Sequence, residues 1–452
     1  MAKPVKQGFQ KPRTRVLNAG ADGWETAVLL TERWLATRAR VDALLEQLTP
    51  SLASPERARA QQLFYGVVRW AGRIEAALEG LMARSPRTKV RAILLVAGFE
   101  LLEEPREAAK IVHHAVGRAK SVASEKEAGL INAVARRLTA RLAKDGTENG
   151  DEAAKSVATE SVEALARRWA HPRWLVARWE KEFGADATAR LLEWNQTPAP
   201  VYARWRAGDA VEPPAFLIPT RWPGFYEVKS GVWDEIRRLA QEGALYLQDP
   251  STRLSVELLA PQANETVLDA CAAPGGKCLQ IADQMRSGRL VALDLPPEDE
   301  VDVRFRRLQE NLNRAPAETQ VALMPGDLRQ VGPRYFREYN LPKTYDAVLL
   351  DAPCSNTGVM RHRVDVKWRL QEGDFAKHAA QQLALLRSAA RFVRDGGRLV
   401  YSSCSIEVEE NEKVVQRFLD QSRGAWTLER HALAYPWIDG HDGAGAFLLR
   451  RN

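Results

Sequence analysis

Two short stretches of this chain could do covalent chemistry. In "LLDAPCSNTG", residues 349–358, and "LVYSSCSIEVEENE", residues 399–412, a cysteine ends an apolar run and is followed by serine. The chain has only four cysteines, so Cys354 and Cys404 in two such similar settings are a notable use of a scarce residue. A thiolate is a strong nucleophile, and a thiol can also carry a proton to or from a reacting group. A pair of them suits a reaction in which one group attacks and another eases release. The commoner fate of cysteine is a buried, inert thiol, and that reading is kept for the thiols of Cys271 and Cys278. The paired motifs set Cys354 and Cys404 apart.

A second group of residues reads as a ligand site. In "VLDACAAPGGKCLQIADQ", Asp269 closes an apolar run, and Gly275 and Gly276 permit a tight turn close to a ligand before a helix opens. The spacing is not GxGxxG, which argues against a pyrophosphate-bearing dinucleotide. Asp294, nineteen residues past Gly275, ends the next apolar run, where a carboxylate can accept both ribose hydroxyl protons. Asp327 in "MPGDLR" and Asp351 fall at the ends expected for the third and fourth strands. Acids at successive strand ends around a glycine turn suit a ligand with a ribose, an adenine amine and a positive charge. S-adenosylmethionine has all three. A strand-terminal Asp can equally cap a turn or helix, but the set is harder to explain that way.

The elements that must position these groups alternate. "ETVLDACAAPGGKCLQIADQM" reads as strand, turn and helix; "RLVALDL", "YDAVLLDAPC" and "GGRLVYSSCS" read as strands; "VRFRRLQENLNR" and "AKHAAQQLALLRSAARFV" read as helices. Such alternation over 244–452 builds a parallel sheet with helices on both faces, and ligands of such sheets bind beyond the carboxyl ends of the strands. The front of the chain is different. "WETAVLLTERWLATRARVDALLEQL", "RTKVRAILLVAGFELLEE" and "EAGLINAVARRLTARLA" place apolar residues three and four apart, which predicts a helical bundle over 20–145. Residues 146–161 are polar and read as a linker, and 162–243 as a connecting subdomain, with its first helical stretch interrupted at Pro172.

The bulk numbers fit this plan. At 452 residues, 45% hydrophobic and 27% charged, the chain has room for about three domains and a substantial core. No apolar run is long enough to span a membrane and the basic start lacks a signal-like apolar stretch, so a cytoplasmic protein without a membrane partner is expected. Four cysteines without a CxxC pair and only seven histidines suggest neither a disulfide framework nor a metal site. Residues 1–145 hold 25 Lys+Arg against 15 Asp+Glu, while the rest holds 40 against 43. A basic module joined to a near-neutral one points to a polyanion, most naturally nucleic acid, although a solvated helical surface has the same composition.

The motifs "DACAAPGGK", "DAPCSNTGVMRHRVDVKW" and "YSSCSIEVEENE" together resemble the signatures of the RsmB/Sun (Fmu) family of RNA cytosine-5 methyltransferases. The likeness covers the region from "ALYLQDPSTRLSVELL" to the C-terminus, and "QQLFYGVVRWAGRIEAALEGLMAR" with "AGLINAVARRL" is similar to the NusB-like RNA-binding domain that precedes it in bacterial ribosomal RNA enzymes. The resemblance implies an all-helical NusB-like bundle followed by a Rossmann-like, S-adenosylmethionine-dependent methyltransferase domain, an α + α/β chain acting as a monomer on RNA, with 16S ribosomal RNA the expected target and transfer RNA an alternative. It implies cofactor contacts from Cys271, Ala272, Ala273, Pro274, Gly275, Gly276, Lys277, Asp294, Asp327 and Asp351, and no metal. In "MRHRVDVKWR", Arg361, Arg363, Lys367 and Arg369 surround an aromatic and suit phosphate contacts beside an extruded base. Departures from the family pattern are small: Cys278, Val364 and Ser403 stand where the family usually has Thr, Pro and Thr.

The implied reaction accounts for cysteine. Carbon 5 of cytosine is a poor nucleophile until a thiolate adds to carbon 6 and pushes electron density onto it; the carbon 5 proton must then leave and the thiol be expelled. Spacing does not say which thiol attacks. The DNA cytosine methyltransferase pattern would assign attack to Cys354; the RNA family implies Cys404 as nucleophile, Cys354 in release, and Asp351 between cofactor and base. The second thiol and the helical front favour the RNA pattern over a DNA enzyme. A helical RNA-binding factor with a decayed catalytic part would be expected to lose a cysteine, the glycine turn or a strand-end acid, and this chain keeps them all.

Overall fold

The computed structural model describes residues 22–48, 52–152, 160–208, 210–285, 287–297 and 303–452. The chain divides into two compact units, one built from residues up to Gln196 together with Arg363–Arg369, the other from Thr197–His362 and Leu370–Asn452. Among the described residues no helix is long and apolar enough to cross a membrane.

The first unit is helical. In helix Ser54–Leu78 the buried positions Ala60, Leu63, Phe64, Val67, Val68, Ala71, Ile74, Ala77 and Leu78 recur every three or four residues and form one apolar stripe. Helix Thr88–Glu103 has an unbroken buried run from Ala92 to Phe99, the pattern of a central helix enclosed on all sides. The two come very close at Gly66, where a Cβ would stand 2.0 Å from the Phe99 ring, so only glycine fits. A second cluster joins Leu30, Trp34, Phe64 and Val68 to Val364.

The expected bundle, 20–145, is helical from Gly23, and residues 20–21 lie outside the described residues. Helix Glu125–Glu152 continues into the stretch read as a linker, whose residues 153–159 also lie outside the described ones. The polar composition of 146–152 suggested a break, but that stretch has no proline, and each residue added to an existing helix gains a backbone hydrogen bond. The segment 162–243 is shared between the units. Helices Val162–Arg168, Arg173–Phe183 and Ala185–Gln196 belong to the first, with Pro172 at the N-cap of the middle one. The extended pieces belong to the second.

The second unit holds two sheets. Strands β1 (Tyr202–Trp205), β2 (Leu217–Pro219), β3 (Phe225–Val228) and β4 (Leu245–Leu247) form an antiparallel sheet in the order β2-β3-β1-β4. The larger sheet contains β5 (Thr266–Asp269), β6 (Gly288–Asp294), β7 (Thr319–Pro325), β8 (Tyr345–Asp351), β9 (Val393–Ser403), β10 (Trp426–Ala434) and β11 (Ala444–Arg451). Its order is β10-β11-β9-β8-β5-β6-β7, parallel from β9 to β7 and closed at one side by antiparallel β11 and β10.

The central strands are apolar on both faces because both are covered. Leu268, Val291, Val348 and Leu399 point into one core layer, and Val267, Leu290, Ala347 and Val400 into the other. The strand order reverses between β5 and β8, which opens a crevice beyond their carboxyl ends. Asp269 and Asp351 are the last residues of those two strands.

Candidate active site

The loop from Ala270 to Gly275 joins β5 to helix Gly276–Met285. Gly275 has φ +100°, a conformation that favours glycine, and a Cβ there would crowd Asn311 and Leu308 at 3.1 Å. Asn311 Nδ2 donates to the Pro274 carbonyl at 2.7 Å, and the Ala273 amide donates to Asp294 Oδ2 at 2.7 Å. These bonds fix the loop beside a cleft of about 250 Å³. Tyr246, Asp249 and Thr252 line one part of it, Cys271–Pro274, Gly276 and Lys277 another, with Asp269 and Asp351 also in the wall.

Asp269 is only 1% exposed. Its Oδ2 accepts from the Cys278 thiol at 3.0 Å, and its Oδ1 has no hydrogen-bond partner. Burial raises its carboxyl to about 7, the Cys278 hydrogen bond acting against that rise. Burial is also the main cause that pushes the Cys271 and Cys278 thiols well up, so neither is disposed to form a thiolate.

The raised Asp269 value has a testable consequence. The folded chain keeps a proton on this carboxyl between its ordinary value near 4 and about 7, where the unfolded chain has lost it. Its contribution to stability is therefore fully present below that window and lost as pH rises through it. Thermal melts from pH 5 to 8 should fall more steeply for the native sequence than for Asp269→Asn. Parallel melting curves would contradict this assignment.

Asp351 Oδ1 takes the Lys277 ammonium at 2.5 Å and the Ser402 hydroxyl at 2.9 Å. Burial alone would lower the Lys277 value; the Asp351 carboxylate, with a smaller contribution from Cys404, more than offsets it and keeps the ammonium charged.

The two thiols meet because β8 and β9 are parallel neighbours with Asp351 opposite Ser402. Cys354 lies three residues beyond Asp351 and Cys404 two beyond Ser402, and their Sγ atoms stand 3.0 Å apart. Cys404 is partly exposed and Cys354 buried. The Cys404 thiol also donates to Asn356 Oδ1 at 3.3 Å, while Asn356, at φ +64°, donates its amide to the Cys354 carbonyl at 2.8 Å. The hydrogen bond to Cys404, then burial, push the Cys354 thiol well up, so it holds its proton.

Other expected residues fall differently. Asp294 and Asp327 stand outside the cleft lining. Asp294 holds the glycine loop and also takes the Arg304 guanidinium. Asp327 accepts from the Arg329 amide and side chain, and that side-chain bond holds its carboxyl below the usual range. Arg361 donates to the carbonyls of Thr197 and Pro198 at 3.2 and 2.7 Å. Arg363 is exposed, and Arg369 pairs with Asp365 at 2.6 Å.

Lys367 corrects an expectation. Instead of facing solvent as a phosphate contact it is 2% exposed, and its ammonium donates to the Arg69 carbonyl at 2.9 Å within the helical unit. Burial lowers it far below its ordinary value. The alternation of charge with Val364, Val366 and Trp368 reads as a basic loop, but those apolar neighbours carry Lys367 into a core. The cleft residues Tyr246 and Asp249 and the thiol partner Asn356 carry no signal in type or spacing that would mark them in the sequence.

A family described as 16S rRNA methyltransferase RsmB/F matches residues 256–437, and one described as the NusB family matches residues 25–140. The ribosomal RNA small subunit methyltransferase B of Vibrio cholerae is 30% identical over 400 residues, 82% of each chain. The probable ribosomal RNA small subunit methyltransferase B of Bacillus subtilis is 30% identical over 386 residues, 82% of this chain and 81% of that one. The solved structure of PH0851 aligns with a TM-score of 0.72 over 96% of this chain and all of that one, at 22% identity, a likeness of fold. With the helical front, the doubly wound sheet and the paired thiols in place, a relationship at this identity over this length means that the chain belongs to the RsmB/F family of 16S rRNA methyltransferases.

Proposed function

We propose that this chain methylates carbon 5 of a cytosine in small-subunit ribosomal RNA through a covalent bond between Cys404 and carbon 6 of the base. The observation that carries this reading is the Cys354–Cys404 pair, 3.0 Å between sulfurs, at strand ends next to the Lys277–Asp351 ion pair. S-adenosylmethionine held in the cleft would supply an electrophilic methyl group, its methyl–sulfur bond breaking so that the sulfur keeps the electron pair and leaves as a neutral thioether. The cleft suits such a ligand: Asp249 and Asp351 offer acceptors to a cationic, hydroxyl-bearing molecule, and the buried Asp269 Oδ1 is a polar atom in the cleft wall with its hydrogen bond still to be made. Tyr246 and the loop Cys271–Lys277 would hold it, with Asp294 acting through that loop.

Cys404 suits attack because it is the more exposed of the two thiols and interacts electrostatically with the Lys277 ammonium. Its addition to carbon 6 moves the ring electron pair toward carbon 5, which then forms the new carbon–carbon bond. Cys354 is protonated in its resting state, so its proton first passes to solvent water; the resulting thiolate takes the carbon 5 proton, the electron pair freed there re-forms the ring double bond, and Cys404 is expelled as a thiolate. Asp351 uses Oδ1 for Lys277 and Ser402 and can present Oδ2 to the amino edge of the base. Exposed Arg363 and Arg369 would meet phosphates, while the basic N-terminal part recruits RNA.

The test is incubation with 16S ribosomal RNA and, separately, with small ribosomal subunits, using cofactor carrying a deuterated methyl group. Nucleoside mass spectrometry should find labelled 5-methylcytidine and no labelled DNA in competition. Label only at a ring or exocyclic nitrogen, or only in DNA, would overturn the reading.

A further inference from the structure

We infer that Glu410 and Asn411 are paired positioning residues, each bracketing one of the two thiols and together setting the sulfur-to-sulfur spacing; the inference deepens the proposed reaction and rests on it. The two residues are consecutive, at the turn that follows Cys404 and opens helix Glu412–Gln421. Both side chains are buried, at 0% and 2% exposure.

Glu410 holds the Cys354 loop from both sides. Its Oε2 accepts from the amide of Ser355, the residue after Cys354, at 2.9 Å. The same oxygen accepts from Gln382 Nε2 at 2.9 Å, and Gln382 Nε2 also donates to the carbonyl of Pro353, the residue before Cys354, at 3.0 Å. Asn411 does the equivalent for Cys404. Its Oδ1 accepts from the hydroxyl of Ser403 at 2.8 Å, and its Nδ2 donates to the carbonyl of Ser405 at 2.9 Å. Each cysteine is thus gripped at its two chain neighbours, and the two grips are one peptide bond apart.

Independent features fit a positioning role rather than ordinary packing. Asparagine is a favoured helix N-cap because its side-chain oxygen can accept an amide of the first turn. Asn411 occupies the N-cap of its helix yet makes no such bond, its amide group being turned to the Cys404 loop. Space is kept for it: a Cβ on Gly445, the β11 residue paired with Ser403, would stand 2.3 Å from Asn411 Oδ1. A fully buried carboxylate such as Glu410 is costly unless it is hydrogen-bonded, and its bonds from the Ser355 amide and from Gln382 both serve the Cys354 loop.

The two residues should therefore fail at different steps. Glu410→Ala loosens Cys354 and should accumulate a covalent protein–RNA adduct, as removal of Cys354 itself would, whereas Asn411→Ala loosens Cys404 and should form little adduct. A loss of general stability would lower adduct and turnover together in both. Glu410→Gln is the conservative rescue, because its oxygen can keep both bonds at the Oε2 position and its amine can take the Oε1 position, which has no partner. Gly445→Ala approaches Asn411 from the opposite side and should reproduce the Asn411→Ala outcome if that variant folds poorly.

A second readout does not depend on methyl transfer. Diamide takes two protons and two electrons from a thiol pair, forming a hydrazine and a disulfide, so its rate reports how well the sulfurs are placed. Peptide mapping should show rapid Cys354–Cys404 closure in the native chain, slowed about tenfold or more by Glu410→Ala and by Asn411→Ala and restored by Glu410→Gln. Unchanged closure in both alanine variants would overturn the inference even if 5-methylcytidine is made. Slowed closure in a native chain that makes no 5-methylcytidine would instead remove the proposed function and leave the clamp standing.

Discussion

Cys404→Ala is expected to abolish methyl transfer, by roughly 10³-fold or more, while leaving cofactor binding nearly intact. The other three cysteines are poorly disposed to make the carbon 6 bond: burial raises Cys271 and Cys278, and the bond to Cys404 with burial raises Cys354, so each holds its proton. The companion variant should fail later in the cycle. Cys354→Ala keeps the attacking thiol but loses the group that eases release, so it should accumulate a protein–RNA adduct that survives a denaturing gel. An adduct in Cys404→Ala alone would reverse the two roles, and no adduct in either variant would remove the covalent pathway. The comparison is clean because the sulfurs are neighbours, 3.0 Å apart, and each substitution removes a single atom from the same small volume.

The second large effect is expected at the Lys277–Asp351 pair. Asp351→Ala leaves the Lys277 ammonium, 18% exposed, with only the more remote Asp269 acting on it, and because Asp351 is itself 35% exposed the cost is discounted from that of a fully buried pair to about 1–2 kcal/mol. Turnover should be lost as well if the proposed reaction holds, since the pair joins the glycine turn to the end of β8, three residues before Cys354. Adding Lys277→Met to Asp351→Ala removes the stranded charge and should recover most of the melting temperature without recovering activity. Because the residues are in contact, their effects should not add, and a double-mutant cycle measures the coupling. Additive losses of stability would mean that the pair is only a solvated contact.

Much of the fold was readable because its signals are local. Short apolar runs bounded by turn residues, such as "TVLD" and "AVLLD", suit strands covered on both faces, and the three-and-four spacing of Ser54–Leu78 suits a helix with one buried stripe. The glycine turn was readable for the same reason, since a doubled glycine between strand and helix has few other uses. Residues 146–152 were misleading because polarity alone does not end a helix.

The sequence by itself determined the class of fold, the glycine turn after the first strand of the parallel sheet and the two cysteine motifs, because residue type and short-range spacing carry that information. Only the tertiary structure decided which groups meet. Cys354 and Cys404, fifty residues apart, touch through the register that sets Asp351 opposite Ser402, and Lys277 finds Asp351 across the β5–β8 crevice. Lys367, a basic residue in a basic loop, is drawn into the helical unit by the valines and tryptophan around it and donates to a carbonyl nearly three hundred residues away. Burial and pairing depend on contacts between distant segments, and those contacts, rather than residue type, set the charge and reach of each side chain.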